Sequence, residues 1–187
     1  MASFELPTPP PDGLARRVNS VAPPDLTVLA AEPAADGFDA RRDARTRTYC
    51  YRVLASEARS PFEEGRALWW PHPLDAGRLR RCAELLRGTH DFTAFTPTQS
   101  EHVRFEREIL RAEWLPEPGD AAGILSFWIE ADAFMRHMVR VLVGTMLEVG
   151  GGRGGVDDFA ALLDGAPRDA AGETAPPRGL YLASVAY

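Results

Sequence analysis

The fold is decided by residues 131–150, which read ADAFMRHMVRVLVGTMLEVG. A stripe recurs in this stretch at helical intervals, and its members are Phe134, His137, Met138, Val141, Leu142, Thr145, Met146 and Val149. This spacing predicts an amphipathic helix. Asp132 is the expected N-cap, and the glycines at 150–152 are the expected end. His137 falls on the apolar face, where a buried, hydrogen-bonded histidine is the favoured interpretation.

Strand patterns lie on both sides of this helix. Arg47, Tyr49, Tyr51 and Val53 occupy alternate positions, which places them on one face of a strand. Further strands are predicted at residues 105–114, 123–131 and 179–187, and a second helix at residues 75–87 with Asp75 as its N-cap. Helices and strands mix without a regular βαβ alternation. The sequence therefore predicts an α+β fold, with an antiparallel sheet and helices packed on one face.

The first 35 residues are punctuated by proline and contain only weak patterns. A short helix at residues 14–19 and a short strand at residues 25–31 are predicted there. Neither element can form a hydrophobic core by itself. Residues 1–35 are accordingly expected to be the tail or linker of another domain, and residues 36–187 to form one domain.

The charge is unevenly distributed. The 187-residue chain has a formal net charge of −6, and all 21 of its basic residues are arginine. Five of them lie between Arg41 and Arg52, where the only acid is Asp43. Arginine suits bidentate contact with phosphate and stacking on bases, so this cluster is a candidate RNA-binding surface on an acidic body. The alternative is that a chain without lysine uses arginine everywhere for solubility.

Several common classes of protein do not fit. The sequence has no apolar run of bilayer length and no secretory signal pattern, which predicts a cytoplasmic protein without membrane contact. It has no phosphate-binding or dinucleotide-binding glycine motif, and its four histidines lack metal-ligand spacing. Two cysteines, Cys50 and Cys82, are too few for a disulfide framework and are expected to be reduced.

Five segments, taken in chain order, carry a resemblance to a known family. They are VNSVAPPDL at 18–26, the Phe38-x-Ala40-Arg41 and Arg47-x-Tyr49-x-Tyr51 pair, HDFTAF at 90–95, AFMRHMVR with GTMLEVG at 133–150, and TAPPRGLYL at 174–182. This ordered set resembles the TruA-type tRNA pseudouridine synthases. The resemblance assigns residues 1–35 to the remnant of an N-terminal catalytic domain or linker, and residues 36–187 to the synthase C-terminal domain.

The resemblance implies an isomerase that converts uridine to pseudouridine in the tRNA anticodon stem-loop. The family acts as a homodimer without metal or organic cofactor. Its enzymes break the N1–C1′ bond, turn the uracil within the pocket, and join C5 to C1′. An aspartate is the nucleophile, and a tyrosine packs on the base and is proposed to take the C5 proton.

The same resemblance gives roles to individual residues. Tyr49 matches the tyrosine, Arg140 matches the basic residue that keeps the nucleophilic carboxylate ionised, and Leu180 matches the apolar residue packed on the base. The expected RNA contacts are Phe38, Asp39, Ala40, Arg41, Arg42 and Arg47, together with the loop Gln99, Ser100, Glu101, His102 and Val103. By spacing alone, a core strand aromatic is the preferred interpretation of Tyr49, and a solvated helix arginine is the preferred interpretation of Arg140.

One departure from the family pattern concerns the nucleophile. The aspartate belongs to a Gly-Arg-Thr-Asp segment that this sequence does not contain. The sequence by itself is therefore expected not to complete the reaction. Three interpretations follow: the C-terminal portion of a synthase, a shortened paralogue or subunit that binds tRNA without catalysis, and an RNA-binding α+β domain of another family.

Overall fold

The N-terminal part of the chain has little regular structure. The computed structural model describes residues 1–99, 103–117 and 123–187, and it divides into two units, Met1–Ala44 and Arg45–Tyr187. The first unit contains one helix, α1 (Leu14–Asn19), as predicted. The strand expected at residues 25–31 is wrong. The side-chain amide of Asn19 instead occupies both backbone groups of Val28, donating to its carbonyl at 2.9 Å and accepting from its N–H at 2.7 Å.

The second unit is built on a six-stranded sheet. Its strands are β1 (Thr46–Ala55), β2 (Leu68–Trp70), β3 (Gly88–Asp91), β4 (Glu106–Pro116), β5 (Ile124–Ala131) and β6 (Leu180–Ala186). They are ordered β2-β1-β5-β4-β3, and β6 also pairs with β1. Every pairing is antiparallel except that of β1 with β2. The predicted α+β fold is confirmed, with one parallel pair that the sequence pattern did not indicate.

The core lies on one face of this sheet. Tyr51 and Val53 of β1 are fully buried there, beside Phe127 and Ile129 of β5. Three helices complete the same core: α2 (Ala76–Leu85), α3 (Met138–Gly150) and α4 (Val156–Ala161). None of the helices in the described parts of the chain has both the length and the apolar character that a membrane span requires.

The opposite face of β1 carries a half-buried ion-pair cluster. Arg52 donates from Nε and Nη2 to the two carboxylate oxygens of Glu117, at 2.7 and 2.8 Å, and from Nη1 to Glu63 at 2.6 Å. The hydroxyl of Ser126 donates to the same Glu117 carboxylate. These bonds, led by that of Arg52, lower the pKa of Glu117. The cluster therefore stabilises the fold above the normal carboxyl pKa, and this contribution is lost as pH falls through the lowered value.

The beginning of α2 follows the sequence prediction closely. Asp75 is its N-cap, because the carboxylate oxygen Oδ1 accepts from the backbone N–H groups of Gly77 and Arg78. Leu79, Cys82 and Ala83 face the core.

The beginning of α3 contradicts the prediction. The helix starts at Met138, after His137, and Asp132 is not its cap. The Asp132 carboxylate accepts instead from the N–H groups of Glu108 and Ala133, which ties the end of β5 to β4. His137 has a left-handed backbone conformation, with φ of 62°, and its side chain is exposed rather than buried. The helix thus begins more than one turn later than predicted, and the Asp132 carboxylate bonds to other backbone groups instead of capping it.

The backbone packed against Gly144 of α3 predicts the effect of one substitution. A Cβ at Gly144 of α3 would overlap the carbonyl oxygen of Glu173, which is backbone and cannot move aside. Gly144→Ala should therefore lower the free energy of unfolding by about 3 kcal/mol, the upper range for overpacking. Urea denaturation followed by tryptophan fluorescence measures this change. Gly77→Ala is the control, since its Cβ would meet only the Asp75 carboxylate, and a change as large as that at Gly144 would contradict the close packing.

Candidate functional site

Tyr49 lies on β1 at the edge of the core. Its ring is half-buried and makes an edge-to-face contact with Phe134, with ring centroids 5.1 Å apart. Phe134 belongs to residues 132–137, the connection between β5 and α3. The aromatic interpretation of Tyr49 from spacing therefore holds in part, because the ring packs against the core but is not enclosed by it.

Leu180 lies beside Tyr49 on the same face of the sheet. In the register of β1 with β6, Tyr49 is opposite Leu182 and Tyr51 is opposite Leu180. Directly opposed residues share a face, so Tyr49 and Leu180 are diagonal neighbours. Leu180 is half-buried against the core, whereas Leu182 is 52% exposed. The sheet therefore places one aromatic and one aliphatic side chain next to each other at a partly open surface.

Arg140 is held in place by the C-terminal segment. It is half-buried in the first turn of α3, and its Nε donates to the carbonyl of Ala175 at 2.7 Å. The backbone N–H of Ala175 returns a bond of 3.1 Å to the Arg140 carbonyl. Among the described residues, no carboxylate forms an ion pair with Arg140. The guanidinium is thus oriented without having its charge neutralised by a described residue.

Tyr51 connects the strand to this arginine. Its side chain is fully buried, and its hydroxyl donates to the carbonyl of Pro176 at 2.7 Å. Burial raises the pKa of the Tyr51 phenol, and the positive charges of Arg140 and Arg178 oppose that rise. The Arg140 charge is therefore close enough to influence the Tyr51 hydroxyl. Tyr51 is therefore adjacent to Tyr49 and Leu180 on the sheet and bonds to the carbonyl next to the one that holds Arg140. The sequence motif contains Tyr51, but the resemblance assigned no role to it.

The residues expected to contact RNA at positions 38–42 form a turn in the first unit. The carboxylate of Asp39 accepts from the N–H groups of Arg41 and Arg42, at 2.8 and 2.9 Å, and Asp43 accepts from the Asp39 N–H. The bonds from Arg42 and Arg41 lower the pKa of Asp39. Both arginine side chains are exposed. The turn therefore presents two guanidinium groups, with Asp39 fixing the backbone beneath them.

The arginine cluster inferred from the sequence is divided among different tasks. Arg47 is half-buried, and its Nη1 donates to the carbonyl of Asp132 at 2.8 Å, at the start of the β5–α3 connection. Arg52 is committed to Glu63 and Glu117 on the opposite face. Only the arginines at 41, 42 and 45 are exposed. Charge counting along the sequence does not show that a guanidinium is engaged by a carboxylate distant in the chain.

The second segment expected to contact RNA is described only at its ends. Gln99 is exposed and Val103 is 98% exposed, while Ser100, Glu101 and His102 lie outside the described residues.

Among the described residues, no three His, Cys, Asp or Glu side chains are grouped as a metal site would require. Both thiols are buried, which raises the pKa of Cys50 and raises that of Cys82 to about 11.

Comparison with known proteins identifies the family. The model of a family described as tRNA pseudouridine synthase matches residues 82–187. The chain is 38% identical over 170 residues to a tRNA pseudouridine synthase A of Bacillus pumilus, covering 91% of this chain and 67% of that protein. It is 37% identical over 178 residues to a tRNA pseudouridine synthase A of Thermus thermophilus, covering 95% of this chain and 70% of that protein.

The chain belongs to the tRNA pseudouridine synthase family. The matched stretches include both Arg140 and Leu180 in the family model, and the match to the Thermus protein is long enough to include Tyr49. The resemblance read from the five segments is therefore confirmed at the level of the family. The third interpretation, an RNA-binding domain of another family, is wrong.

The backbone of His137 predicts an unusual order of stabilities in this synthase. A left-handed conformation disfavours any residue with a Cβ by about 1–2 kcal/mol. His137→Gly should therefore be more stable than His137→Ala by about 1 kcal/mol in chemical denaturation. At exposed Arg80 in the middle of α2 the order should reverse, because alanine favours a helix over glycine by about 1 kcal/mol. Alanine proving the more stable at both positions would instead place His137 inside the helix, as the sequence pattern predicted.

Proposed function

We propose that this chain carries part of the catalytic site of an enzyme that isomerises uridine to pseudouridine in the tRNA anticodon stem-loop. The observation that carries the proposal is the placement of Arg140. Its guanidinium is half-buried, oriented by the Ala175 carbonyl, and without a carboxylate partner among the described residues. A cation in this position favours an ionised carboxylate brought next to it.

The reaction requires a site that holds a base while its bond to the sugar is exchanged. The N1–C1′ bond breaks, the uracil turns, the C5–C1′ bond forms, and the C5 hydrogen leaves as a proton while N1 takes up a proton. No electron acceptor is needed, so we propose that no metal or organic cofactor takes part. Tyr49 and Leu180 are neighbours at a partly open surface, which suits stacking of an extruded base between an aromatic and an aliphatic group.

The individual roles proposed are those that the family resemblance implies, and the arrangement above supports them. Tyr49 packs on the base and accepts the C5 proton, and Leu180 packs on the base as well. Arg140 pairs with the nucleophilic aspartate and keeps it ionised. We propose that this aspartate is supplied by a Gly-Arg-Thr-Asp segment outside the present sequence, since that motif does not occur in it. Residues 1–35 are then the remnant of the domain that carries the nucleophile, or its linker.

The remaining proposed contacts are with the RNA backbone. They involve Phe38, Asp39, Ala40, Arg41, Arg42, Arg47 and the loop from Gln99 to Val103. The exposed guanidinium groups at 41 and 42 support phosphate contact, whereas the bond from Arg47 to Asp132 supports a positioning role alongside any RNA contact. By the family resemblance, we further propose a homodimer that acts in the cytoplasm.

A second candidate function is tRNA binding without catalysis. It is favoured by the same observation that Arg140 has no carboxylate partner among the described residues, together with the lack of a Gly-Arg-Thr-Asp motif. A paralogue or subunit of this kind would bind tRNA through the turn at residues 38–42 and would release no hydrogen from C5.

Release of tritium from tRNA labelled at C5 of uridine tests the catalytic proposal. The assay is run with the chain alone and with a Gly-Arg-Thr-Asp-containing segment of a relative supplied. We expect release only in the second case, and Arg140→Met should reduce its rate about 100-fold or more, because losing one partner of a buried ion pair costs about 3–5 kcal/mol. Affinity for tRNA should stay within about threefold, as expected for a group acting on the chemical step.

Arg136→Met is the matched control. Arg136 is exposed, lies four residues before Arg140, and should be dispensable for turnover. Loss of affinity with unchanged turnover in Arg140→Met would reassign Arg140 to RNA contact. Binding of tRNA without tritium release in any combination would favour the paralogue.

The turn at Asp39 predicts an effect opposite to simple electrostatics. Asp39→Ala removes a negative charge beside two arginines, yet it should weaken tRNA binding by about fivefold because the capping bonds to Arg41 and Arg42 are lost. Asp39→Asn keeps an acceptor oxygen without the charge and should bind at least as well as the parent. Asp36→Ala, at an exposed acid nearby, serves as the charge control. Titration by fluorescence anisotropy at several salt concentrations measures these affinities, and equal binding by the two Asp39 variants would remove the turn from the proposed interface.

A further inference from the structure

Residues 171–176 form a segment that is fastened to α3 at several points. Thr145 accepts from the Gly172 N–H at 3.0 Å while its hydroxyl donates to the Val141 carbonyl at 2.8 Å. Glu148 accepts from the Glu173 N–H at 3.1 Å. The close approach at Gly144 lies between these two bonds and the bond from the Ala175 N–H to the Arg140 carbonyl. The segment is therefore set against the helix by specific bonds on both sides of a contact that allows no side chain.

Two consecutive carbonyls of this segment connect α3 to β1. The carbonyl of Ala175 accepts from Arg140 Nε, and the next carbonyl, that of Pro176, accepts from the Tyr51 hydroxyl. Because adjacent peptide units share a Cα, fixing one carbonyl restricts the direction of the other. The Tyr51 hydroxyl thus holds the carbonyl that is next in the chain to the acceptor that orients Arg140.

Tyr51 also lies next to the two other proposed site residues. It is two positions from Tyr49 on the same face of β1 and directly opposite Leu180 on β6. The backbone at Gly179 passes so close that a Cβ there would lie 3.4 Å from the Tyr51 ring. A single buried side chain therefore contacts the segment that carries Leu180 and the carbonyl next to the one that holds Arg140.

We propose that Tyr51 is a positioning residue for uridine isomerisation. It fixes residues 175–180, so that Arg140 is oriented towards the nucleophile and Leu180 towards the base. This inference rests on the proposed function above and adds a residue to which the family comparison gives no role. Tyr51 itself touches neither the base nor the reacting atoms in this account. A displacement of about 1 Å in a catalytic group reduces turnover by about 100-fold, so a bond that holds the segment matters for rate more than for binding.

The chain offers a matched control for the loss of this hydroxyl. Tyr181, on the neighbouring strand β6, donates from its hydroxyl to the carbonyl of Arg66 at 2.8 Å. It is opposite Cys50 in the register, and therefore on the other face of the sheet. Tyr51→Phe and Tyr181→Phe each remove one phenol-to-carbonyl bond while keeping the ring. Tyr51 is fully buried and Tyr181 is 40% exposed, so turnover is compared under conditions in which denaturation curves show both variants to be folded. A difference in turnover then reflects where the bond acts.

Steady-state tritium release tests the inference in whichever form of the enzyme proves active. Tyr51→Phe should lower kcat about tenfold or more with KM for tRNA within about twofold, the pattern of an interaction that matters only in the transition state. Tyr181→Phe should change neither. Equal kcat for the two variants, or a loss confined to KM, would overturn the positioning role. An active parent with inactive Arg140→Met and normal Tyr51→Phe would refute this inference alone, whereas an inactive parent would refute the proposed function.

Two further measurements keep the inference testable if Tyr51→Phe folds poorly or no form releases tritium. Thr145→Val removes the acceptor for the Gly172 N–H, whereas Thr145→Ser keeps it, so kcat should fall in the first and be retained in the second. In the chain alone, hydrogen exchange at Arg140 Nε, followed by NMR, should be accelerated about tenfold by Tyr51→Phe and by Thr145→Val but not by Tyr181→Phe. Unchanged exchange in both test variants would show that the segment does not hold Arg140.

Discussion

The arrangement of the second unit depends on the contact between α3 and residues 171–176. At Gly144 the helix surface is bare, and the backbone of Glu173 lies directly on it. On one side Thr145 and Glu148 accept hydrogen bonds from the segment, and on the other side the Arg140 carbonyl accepts one. Because this contact fixes the path of the chain into β6, it also fixes which residues of β6 face the core. The position of Leu180 and the orientation of Arg140 both follow from this packing.

Strand β1 is the second organising element, since it pairs with three other strands and separates two chemical environments. Its core face carries the tyrosines at 49 and 51, and its opposite face carries Arg52 with two carboxylates. The separation of faces keeps the bidentate ion pair away from the tyrosines. The half-buried Arg52 on that face is paired with two glutamates, while Arg140 on the core side has no carboxylate partner among the described residues. Arg52 is thus neutralised by carboxylates on one face, whereas on the other face Arg140 is held by the Ala175 carbonyl, which is compatible with the catalytic role proposed for it.

The β5–α3 connection deviates from a helix and thereby supplies the aromatic contact of Tyr49. Asp132 bonds to backbone groups near it, His137 adopts a left-handed conformation, and the helix begins only at Met138. The residues released from the helix include Phe134, which packs on Tyr49. Had the helix begun after Asp132, as the pattern suggested, this aromatic would have been one of its core-facing residues. A left-handed non-glycine residue is a form of strain that commonly accompanies functional segments.

The sequence alone determined the fold class, the Asp75 cap, the principal strands and the family, because these depend on periodicity and on short motifs that are local in the chain. It did not indicate β2 or β3, which are short and exist through pairing with β1 and β4. It treated Arg41 to Arg52 as one basic surface, whereas the tertiary structure engages Arg47 with Asp132 and Arg52 with two glutamates. It also gave no role to Tyr51, whose hydroxyl reaches a carbonyl 125 residues away. Partners that distant in the chain are brought together only by packing, and no local pattern records them.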